Sequence, residues 1–277
     1  MVNEIMNTLL KRQVSAYWNA QSCGEVNAVS LTGAFDLDEQ ARQRYVLEPY
    51  IFDFAKFHEG KKRNVLEIGI GMGADHALWA RSAPAILCGI DLTQKAIQFT
   101  AQRLAQGNLN SMLQQGDAEN LPFIAHSFDV VYSWGVLHHS PDTSRCIGEV
   151  FRVLRPEGIA RIMIYHKWSL VGLMLWCRYA LLRGKPLRHI DDVYFHHLES
   201  LGTKAYTISK ARRMFTTAGF SSIDTRIQLS HGDLLQGNVG ARHQGALLSL
   251  ARWLWPRSIL KVIAPQLGLY LLIEAVK

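Results

Sequence analysis

Short apolar runs alternate with helical segments between Asn64 and Tyr165, and no other feature of the chain restricts its fold as much. Runs rich in β-branched residues, bounded by turns, are typical of buried parallel strands. They occupy residues 64–70 (NVLEIGI), 85–91 (AILCGID), 128–133 (FDVVYS) and 159–165 (IARIMIY), with a weaker run at 111–115. Helical patterns separate them at residues 74–81, 93–105 and 143–154. Such alternation predicts an α/β fold with a doubly wound parallel sheet and right-handed crossovers.

The pattern differs on either side of this stretch. The first 60 residues are predicted to be helical, with Pro49 interrupting a helix over residues 37–57. After Tyr165 the alternation stops for about 40 residues, and connections of that length are uncommon unless they carry a function such as a lid. It resumes with a helix at 209–218 and a strand at 222–229, and an apolar strand is predicted at 267–276.

Composition restricts the class of protein. Of the 277 residues, 48% are hydrophobic and 19% charged, which indicates a globular chain with a sizeable core. The sequence predicts a cytoplasmic protein because it has neither a secretory signal nor an apolar run long enough to span a bilayer. The four cysteines are far apart, with no His/Cys cluster at zinc spacing, so we expect free thiols and no metal site.

The net charge of +7 is unevenly distributed. Between His166 and Lys261 there are 14 Lys/Arg against 5 Asp/Glu. This excess is explained equally well by an anionic partner and by ordinary solvated side chains. The basic residues are scattered and no RNA-binding module is legible, so nucleic acid ranks well below a small molecule as substrate.

A glycine-rich turn follows the first strand. Gly69, Gly71 and Gly73 stand at alternate positions before a helix, where a ligand can approach the backbone closely. The N–H groups of that helix terminus are available to a ligand's polar atoms. Asp91 lies 20 residues after Gly71, as in an NAD site. The glycines alone therefore fit both NAD and S-adenosylmethionine.

Three further features distinguish these cofactors. Glu67 stands at the strand end, where burying a carboxylate is costly unless a cationic ligand or another partner compensates. Asp117 follows the third strand, beside the cleft. His138 and His139 follow the fourth strand, at the sheet edge where open α/β sheets bind ligands.

These motifs occur in an order that resembles class I S-adenosylmethionine-dependent methyltransferases, specifically the ubiquinone/menaquinone-biosynthesis type (methyltransferase type 11). The resemblance rests on E-x-G-x-G-x-G, the acid ending the second strand, G-D-A-E-x-L-P-F, F-D-V-V-x-S with V-L-H-H, and L-R-P-x-G. It implies a Rossmann-like, doubly wound, seven-stranded and mostly parallel sheet whose last strand inserts antiparallel beside the sixth.

The same resemblance divides a single methyltransferase domain, residues 1–277, into parts. Residues 1–60 form a helical N-terminal cap, 61–165 the cofactor-binding core and 166–207 a lid insertion. Residues 208–277 complete the core and carry a second insertion at 231–266.

The resemblance also assigns cofactor-binding roles. By the resemblance, the glycine turn contacts the methionine and ribose portion of the cofactor, and Glu67 contacts the methionine amine. Asp91 binds the ribose hydroxyls, and the adenine is contacted by Leu92, Asp117 and Ala118. The backbone of Ser133 and Trp134 borders the methyl group. Met72, Ala74 and Asp75 receive no role. Glu157 replaces the more usual glycine of the L-R-P-G-G turn.

The resemblance predicts methyl transfer from S-adenosylmethionine, with S-adenosylhomocysteine as product, to a small-molecule acceptor. If the acceptor is a hydroxyl, His138 or His139 is in position to act as a base, although many such enzymes need none. The apolar segments 169–182 and 245–263 have three interpretations, ranked in this order. They cap an apolar or amphiphilic acceptor, they form a dimer or core contact, or they touch a membrane surface transiently. A monomer and a homodimer both remain open. The alternatives are an NAD(P)-dependent oxidoreductase and a non-catalytic S-adenosylmethionine-binding module.

Overall fold

A computed structural model of the chain describes residues 2–28, 36–236, 253 and 255–277. Its helices are α1 Val2–Ala20, α2 Leu37–Leu47, α3 Tyr50–Ala55, α4 Ala74–Arg81, α5 Gln94–Gln106, α6 Thr143–Val153, α7 Leu170–Tyr179, α8 Ile190–His197, α9 Ile208–Ala218 and α10 Arg257–Ile263. Its strands are β1 Asn64–Ile68, β2 Ile86–Asp91, β3 Met112–Gln115, β4 Phe128–Trp134, β5 Leu154–Tyr165, β6 Ser222–Gln228 and β7 Tyr270–Val276.

The strands form one seven-stranded sheet in the order β3-β2-β1-β4-β5-β7-β6. The first five strands are parallel, whereas β7 runs antiparallel between β5 and β6. This confirms the predicted Rossmann-like sheet, including its inserted last strand. The strand order reverses between β1 and β4, and the crevice at that point is where open α/β sheets bind ligands.

Both faces of the sheet are covered, as the apolar strand sequences require. Val65 packs into the core on one face, while Leu66 and Ile68 pack into the core on the other, following the alternation of side chains along a strand. Val65 and Leu66 are fully buried, which explains why β1 reads as a continuous apolar run.

The predicted helix over residues 37–57 is divided as expected near Pro49. Asp36 caps α2 by accepting from the backbone N–H groups of Asp38 and Glu39, and α2 ends at Leu47. Helix α3 begins one residue after Pro49. The turn between them places Glu48 inside the protein, where its Oε1 accepts a 2.5 Å hydrogen bond from Tyr270.

Arg161 on β5 joins the N-terminal helices to the last strand. Its side chain is buried, and its Nε donates to Glu274 Oε2 on β7 at 2.8 Å. Its Nη1 donates to the Ala55 carbonyl at 2.9 Å and its Nη2 to Glu59 at 2.5 Å. Two carboxylates and a carbonyl therefore compensate the burial of one guanidinium.

Helices α7 and α8 lie in the predicted lid insertion and pack closely at Gly172, where an added Cβ would meet the Tyr194 hydroxyl at 1.9 Å. One side of α7 is buried through Leu170 and Leu175, whereas Leu173 is exposed. In the second predicted insertion, residues 237–252 and 254 lie outside the described part of the chain, so residues 245–252 and 254 of the apolar segment 245–263 stay a prediction.

Across residues 2–28, 36–236, 253 and 255–277, none of the helices combines the length and the hydrophobicity that crossing a bilayer requires. All four cysteines are free thiols, as expected.

Candidate functional site

The glycine turn has the backbone conformation that its sequence predicts. Gly69, Gly71 and Gly73 all have positive φ, of 80°, 52° and 75°. A Cβ on Gly69 would lie 2.1 Å from Val136 Cγ2, and one on Gly73 would lie 2.8 Å from Thr100 Oγ1. A Cβ on Gly71 would instead meet no atom within 4 Å. The outer glycines therefore permit close packing, while Gly71 faces open space that a ligand can enter.

Asp91 lies beside this turn, at the end of β2. Its Oδ2 accepts from the Gly71 N–H at 3.1 Å, and its Oδ1 accepts from the Thr93 N–H at 2.9 Å. Burial raises the pKa of Asp91 although these hydrogen bonds oppose the shift. Leu92, next in the chain, is half-buried. The expected proximity of the acid to the glycine turn is therefore present in the folded chain.

Glu67 obtains a partner from the protein itself. Its Oε2 lies 2.9 Å from His76 Nδ1, and His76 Nε2 lies 2.7 Å from Ser111 Oγ. Ser111 donates its own proton to the Leu87 carbonyl, so His76 Nε2–H donates to Ser111 and Nδ1 is left as an acceptor. Burial raises the pKa of Glu67 well above its ordinary value and lowers that of His76 to about 3. Both groups are therefore neutral, with the Glu67 carboxyl donating to His76.

Asp117 meets a cation from the N-terminal helix. Lys11 Nζ on α1 lies 2.6 Å from Asp117 Oδ2 and 2.5 Å from Glu119 Oε2. Asp117 Oδ1 also accepts from the Glu119 N–H at 2.9 Å, and Ala118 between them is half-buried. Helix α1 thus closes over the edge of the sheet that carries Asp117, an arrangement that the sequence did not predict.

Asp75, to which the resemblance assigns no cofactor-binding role, has a structural role. It is buried, and Arg44 donates to both of its oxygens at 3.0 and 2.7 Å. Tyr45 and Tyr132 donate to it as well, at 3.0 and 2.8 Å. Burial opposes ionisation, but Arg44 and the hydrogen bonds hold the pKa of Asp75 below its ordinary value. This ion pair fastens α2 to α4 and β4 directly behind the glycine turn.

The end of β4 is held against the end of β1. Ser133 is fully buried and its hydroxyl donates to the Ile68 carbonyl at 2.9 Å. Trp134 is half-buried and contacts the rings of Tyr50 and Tyr270. The backbone of these two residues therefore lies next to the start of the glycine turn.

The two histidines lie close together in a short 3-10 turn after β4. His138 is fully buried, and its ring lies over that of Tyr165 with centroids 3.9 Å apart. Burial lowers the pKa of His138 well below its ordinary value. His139 Nε2 lies 3.3 Å from Glu199 Oε2, and Tyr165 donates to the same oxygen at 2.8 Å.

Glu199 was missed because it belongs to the lid segment, far from the motifs. Burial disfavours its charged form, but hydrogen bonds with His139 and Tyr165 hold the pKa of Glu199 below its ordinary value. Trp18 on α1 also contacts the His139 ring edge-on, with centroids 5.3 Å apart. The N-terminal helix and the lid segment therefore both reach the histidine pair.

Comparison with known proteins gives a consistent result. A family model described as a methyltransferase domain matches residues 66–162. Over 128 residues the chain is 35% identical to erythromycin 3''-O-methyltransferase of Saccharopolyspora erythraea, covering 45% of this chain and 40% of that protein. Over 97 residues it is 40% identical to phthiotriol/phenolphthiotriol dimycocerosates methyltransferase of Mycobacterium tuberculosis strain H37Rv, covering 35% of each. The chain thus spans well under half the length of these two relatives.

The fold has close counterparts among solved structures. An S-adenosylmethionine-dependent methyltransferase from Mesorhizobium loti superposes with a TM-score of 0.54 at 16% identity, covering 87% of this chain and all of that one. At that identity the likeness concerns the fold alone. The sheet topology, the order of the motifs and the family match together show that this chain carries a class I S-adenosylmethionine-dependent methyltransferase domain, with the family match over residues 66–162.

Proposed function

We propose that this protein transfers the methyl group of S-adenosylmethionine to a small acceptor of apolar or amphiphilic character, releasing S-adenosylhomocysteine. The observation that carries the proposal is the open space at Gly71, bordered by the Asp91 carboxylate at the carboxyl edge of the sheet. A sugar needs this combination, because its hydroxyl groups donate to a carboxylate while its ring lies against a backbone without side chains.

The proposed cofactor contacts follow the crevice. Gly69, Gly71 and Gly73 would line the methionine and ribose portion, and Asp91 would accept from both ribose hydroxyls. Glu67 would face the methionine amine. Its carboxyl is protonated against His76 in the absence of a cation, so an ammonium group nearby would favour the ionised form.

At the other end, Leu92 would pack on the adenine, and Asp117 with the Ala118 N–H would bind the adenine edge. Asp117 and Glu119 share the Lys11 ammonium group, so the adenine amine can bind the Asp117 carboxylate while Glu119 retains the lysine. The backbone of Ser133 and Trp134 would border the methyl group.

S-adenosylmethionine supplies a methyl group that is already electrophilic when it is bound. The protein's contribution is therefore to align the acceptor and exclude water. Helix α1 and the lid segment support this role, because Trp18 and Glu199 both lie against His139 beside the crevice. His138 and His139 are our candidates for contact with the acceptor's reacting group.

Two observations support an apolar acceptor. Helix α7 of the lid segment (LVGLMLWCRY) is strongly apolar. In addition, the names of the two relatives describe a macrolide antibiotic and a dimycocerosate lipid as methyl acceptors.

Calorimetric titration tests the cofactor assignment. We expect S-adenosylhomocysteine to bind and NAD to give no heat of binding. NAD binding in place of S-adenosylhomocysteine would overturn the proposal in favour of an oxidoreductase. Incubation with methyl-labelled S-adenosylmethionine and a cell extract then tests turnover, because a non-catalytic binding module would label no product in any fraction.

A further inference from the structure

His138, the first of the two histidines after β4, leaves both of its ring nitrogens without hydrogen-bond partners. Both atoms are buried. An unsatisfied buried polar atom costs roughly 1 to 3 kcal/mol, and two on one ring are rarely left so without a ligand. His138 is fully buried, so exposed water does not satisfy it.

A carboxylate lies close to the two histidines. Glu199 Oε2 lies 3.3 Å from His139 Nε2, and one ligand atom from each of His138, His139 and Glu199 lies within 4.8 Å of the others. Within the part of the chain that the structure describes, no other group of three His, Cys, Asp or Glu residues is so arranged.

The hydrogen bonds around His139 orient its ring. Nδ1 lies 3.1 Å from the Thr203 hydroxyl, which donates its own proton to the Ser200 carbonyl and can accept from Nδ1, and 3.0 Å from the Ser200 hydroxyl, which can donate to it. The protein therefore holds Nδ1 in either tautomer, and Nε2 is the nitrogen that faces the Glu199 carboxylate.

We propose that His138, His139 and Glu199 bind a divalent transition-metal ion, with zinc the best match. Two imidazoles and one carboxylate suit zinc, whereas magnesium and calcium prefer oxygen ligands. The His139–Glu199 separation of 3.3 Å matches the distance of about 3.4 Å between two ligands of a tetrahedral zinc ion. All three ligand atoms lie within 4.8 Å of one another, so a modest adjustment of the side chains would bring them to zinc-ligand distances.

The surroundings suit such a site. The ring nitrogen of His139 opposite the ion is held by Thr203 and Ser200, and Tyr165 donates to Glu199. Outer hydrogen bonds of this kind orient metal ligands and tune their basicity. Spacing along the chain does not indicate this cluster, since Glu199 comes from the lid segment and only folding brings it to the histidines.

Three protein ligands leave a fourth position open, as in catalytic zinc sites. On the proposed function, that position takes the acceptor's hydroxyl oxygen and lowers its pKa, and its proton passes to water. The new O–CH₃ bond forms as the S–CH₃ bond breaks, and the sulfur retains the electron pair in S-adenosylhomocysteine. The lid segment completes the site because it carries Glu199.

The test measures metal binding directly, on the full chain. The protein is stripped with a chelator, titrated with zinc by calorimetry, and loaded with cobalt for visible absorption spectra. We expect about one ion per chain and a tetrahedral cobalt spectrum. Glu199→Gln and His139→Gln should each weaken zinc binding by tenfold or more, since each removes a direct ligand. His196→Gln, an exposed histidine outside the cluster, is the matched control and should bind zinc like the parent.

S-adenosylhomocysteine binding is measured on every variant. Retained affinity shows that the variant is folded and that the cofactor assignment stands independently of the metal. The metal site is overturned if the parent binds no stoichiometric zinc, or if Glu199→Gln and His139→Gln bind it as tightly as His196→Gln does. Methyl transfer by the stripped protein at the full rate would overturn the role of the ion in the reaction and return His139 to the role of a base.

Discussion

Replacing Gly71 by alanine, with Gly184→Ala as control, distinguishes the free energy cost of backbone strain from the loss of space for a ligand. Gly71 has a φ of 52° and no atom within 4 Å of the position that a Cβ would take. Gly184, in the lid segment, has a φ of 68° and likewise nothing within 4 Å. The two positions impose the same kind of backbone strain, but only Gly71 lies next to Asp91.

The expected magnitudes differ accordingly. A left-handed alanine costs roughly 1 to 2 kcal/mol, and the reduced entropy of the unfolded chain returns about 0.4 to 1 kcal/mol. Both Gly71→Ala and Gly184→Ala should therefore lower the free energy of unfolding by about 1 kcal/mol. At Gly71 the added methyl also intrudes on the ligand, and a steric conflict of about 1 to 3 kcal/mol weakens binding by roughly five- to 150-fold.

Two assays decide the matter. Urea denaturation gives the free energy of unfolding, and calorimetry gives the affinity for S-adenosylhomocysteine. We expect the two variants to be similarly destabilised and only Gly71→Ala to lose affinity. Equal affinity in both variants would refute the placement of the ligand against the glycine turn, and a loss in Gly184→Ala would show that the strain itself acts on the site.

Three further outcomes follow from the site. Asp91→Ala should weaken S-adenosylhomocysteine binding by about 1 to 3 kcal/mol through lost hydrogen bonds, whereas Asp224→Ala on the exposed face of β6 should not; equal affinities in calorimetry would contradict the ribose assignment. Asp75→Asn should lower the free energy of unfolding at pH 7 by about 3 kcal/mol because it leaves Arg44 with one carboxylate fewer. Because the pKa of Asp75 is lowered in the folded protein, its contribution to the free energy of unfolding is present at neutral pH and lost as the pH falls through that lowered pKa. The melting temperature of Asp75→Asn should therefore depend less on pH in the acid range than that of the parent protein. Parallel melting curves against pH for the two proteins would exclude this role. Acceptors with apolar bulk should be methylated faster than small polar ones, and equal rates across such a panel would remove the argument for an apolar cap.

The sheet could be predicted from sequence because its signal is local. The β-branched runs and intervening helices give each strand its place, and the glycine turn with Asp91 follows from spacing within one β-α-β unit. Glu157, which replaces a usual glycine, has a φ of 62°, so the turn needs the left-handed conformation that glycine adopts most easily.

The rest of the site depends on contacts between distant segments. Lys11 and Asp117 are 106 residues apart, and Arg44 and Asp75 are 31 apart. Glu199 reaches His139 only after the lid segment folds back over β4. No periodicity or motif spacing records such pairs, because each partner is an ordinary charged residue in its own segment. For Asp75 the sequence shows only an acid in the first turn of α4, which does not indicate its partner Arg44.

The buried guanidinium of Arg161 has a consequence for biosynthesis. Arg161 precedes its β7 partner Glu274 by 113 residues, a delay of roughly 6 to 23 s at ribosomal speed. During that interval the growing chain exposes the unpaired edge of β5 and an arginine lacking its β7 counter-ion, both of which invite aggregation. The nascent protein should therefore depend on chaperones until β7 has been synthesised and pairs with β5 and β6.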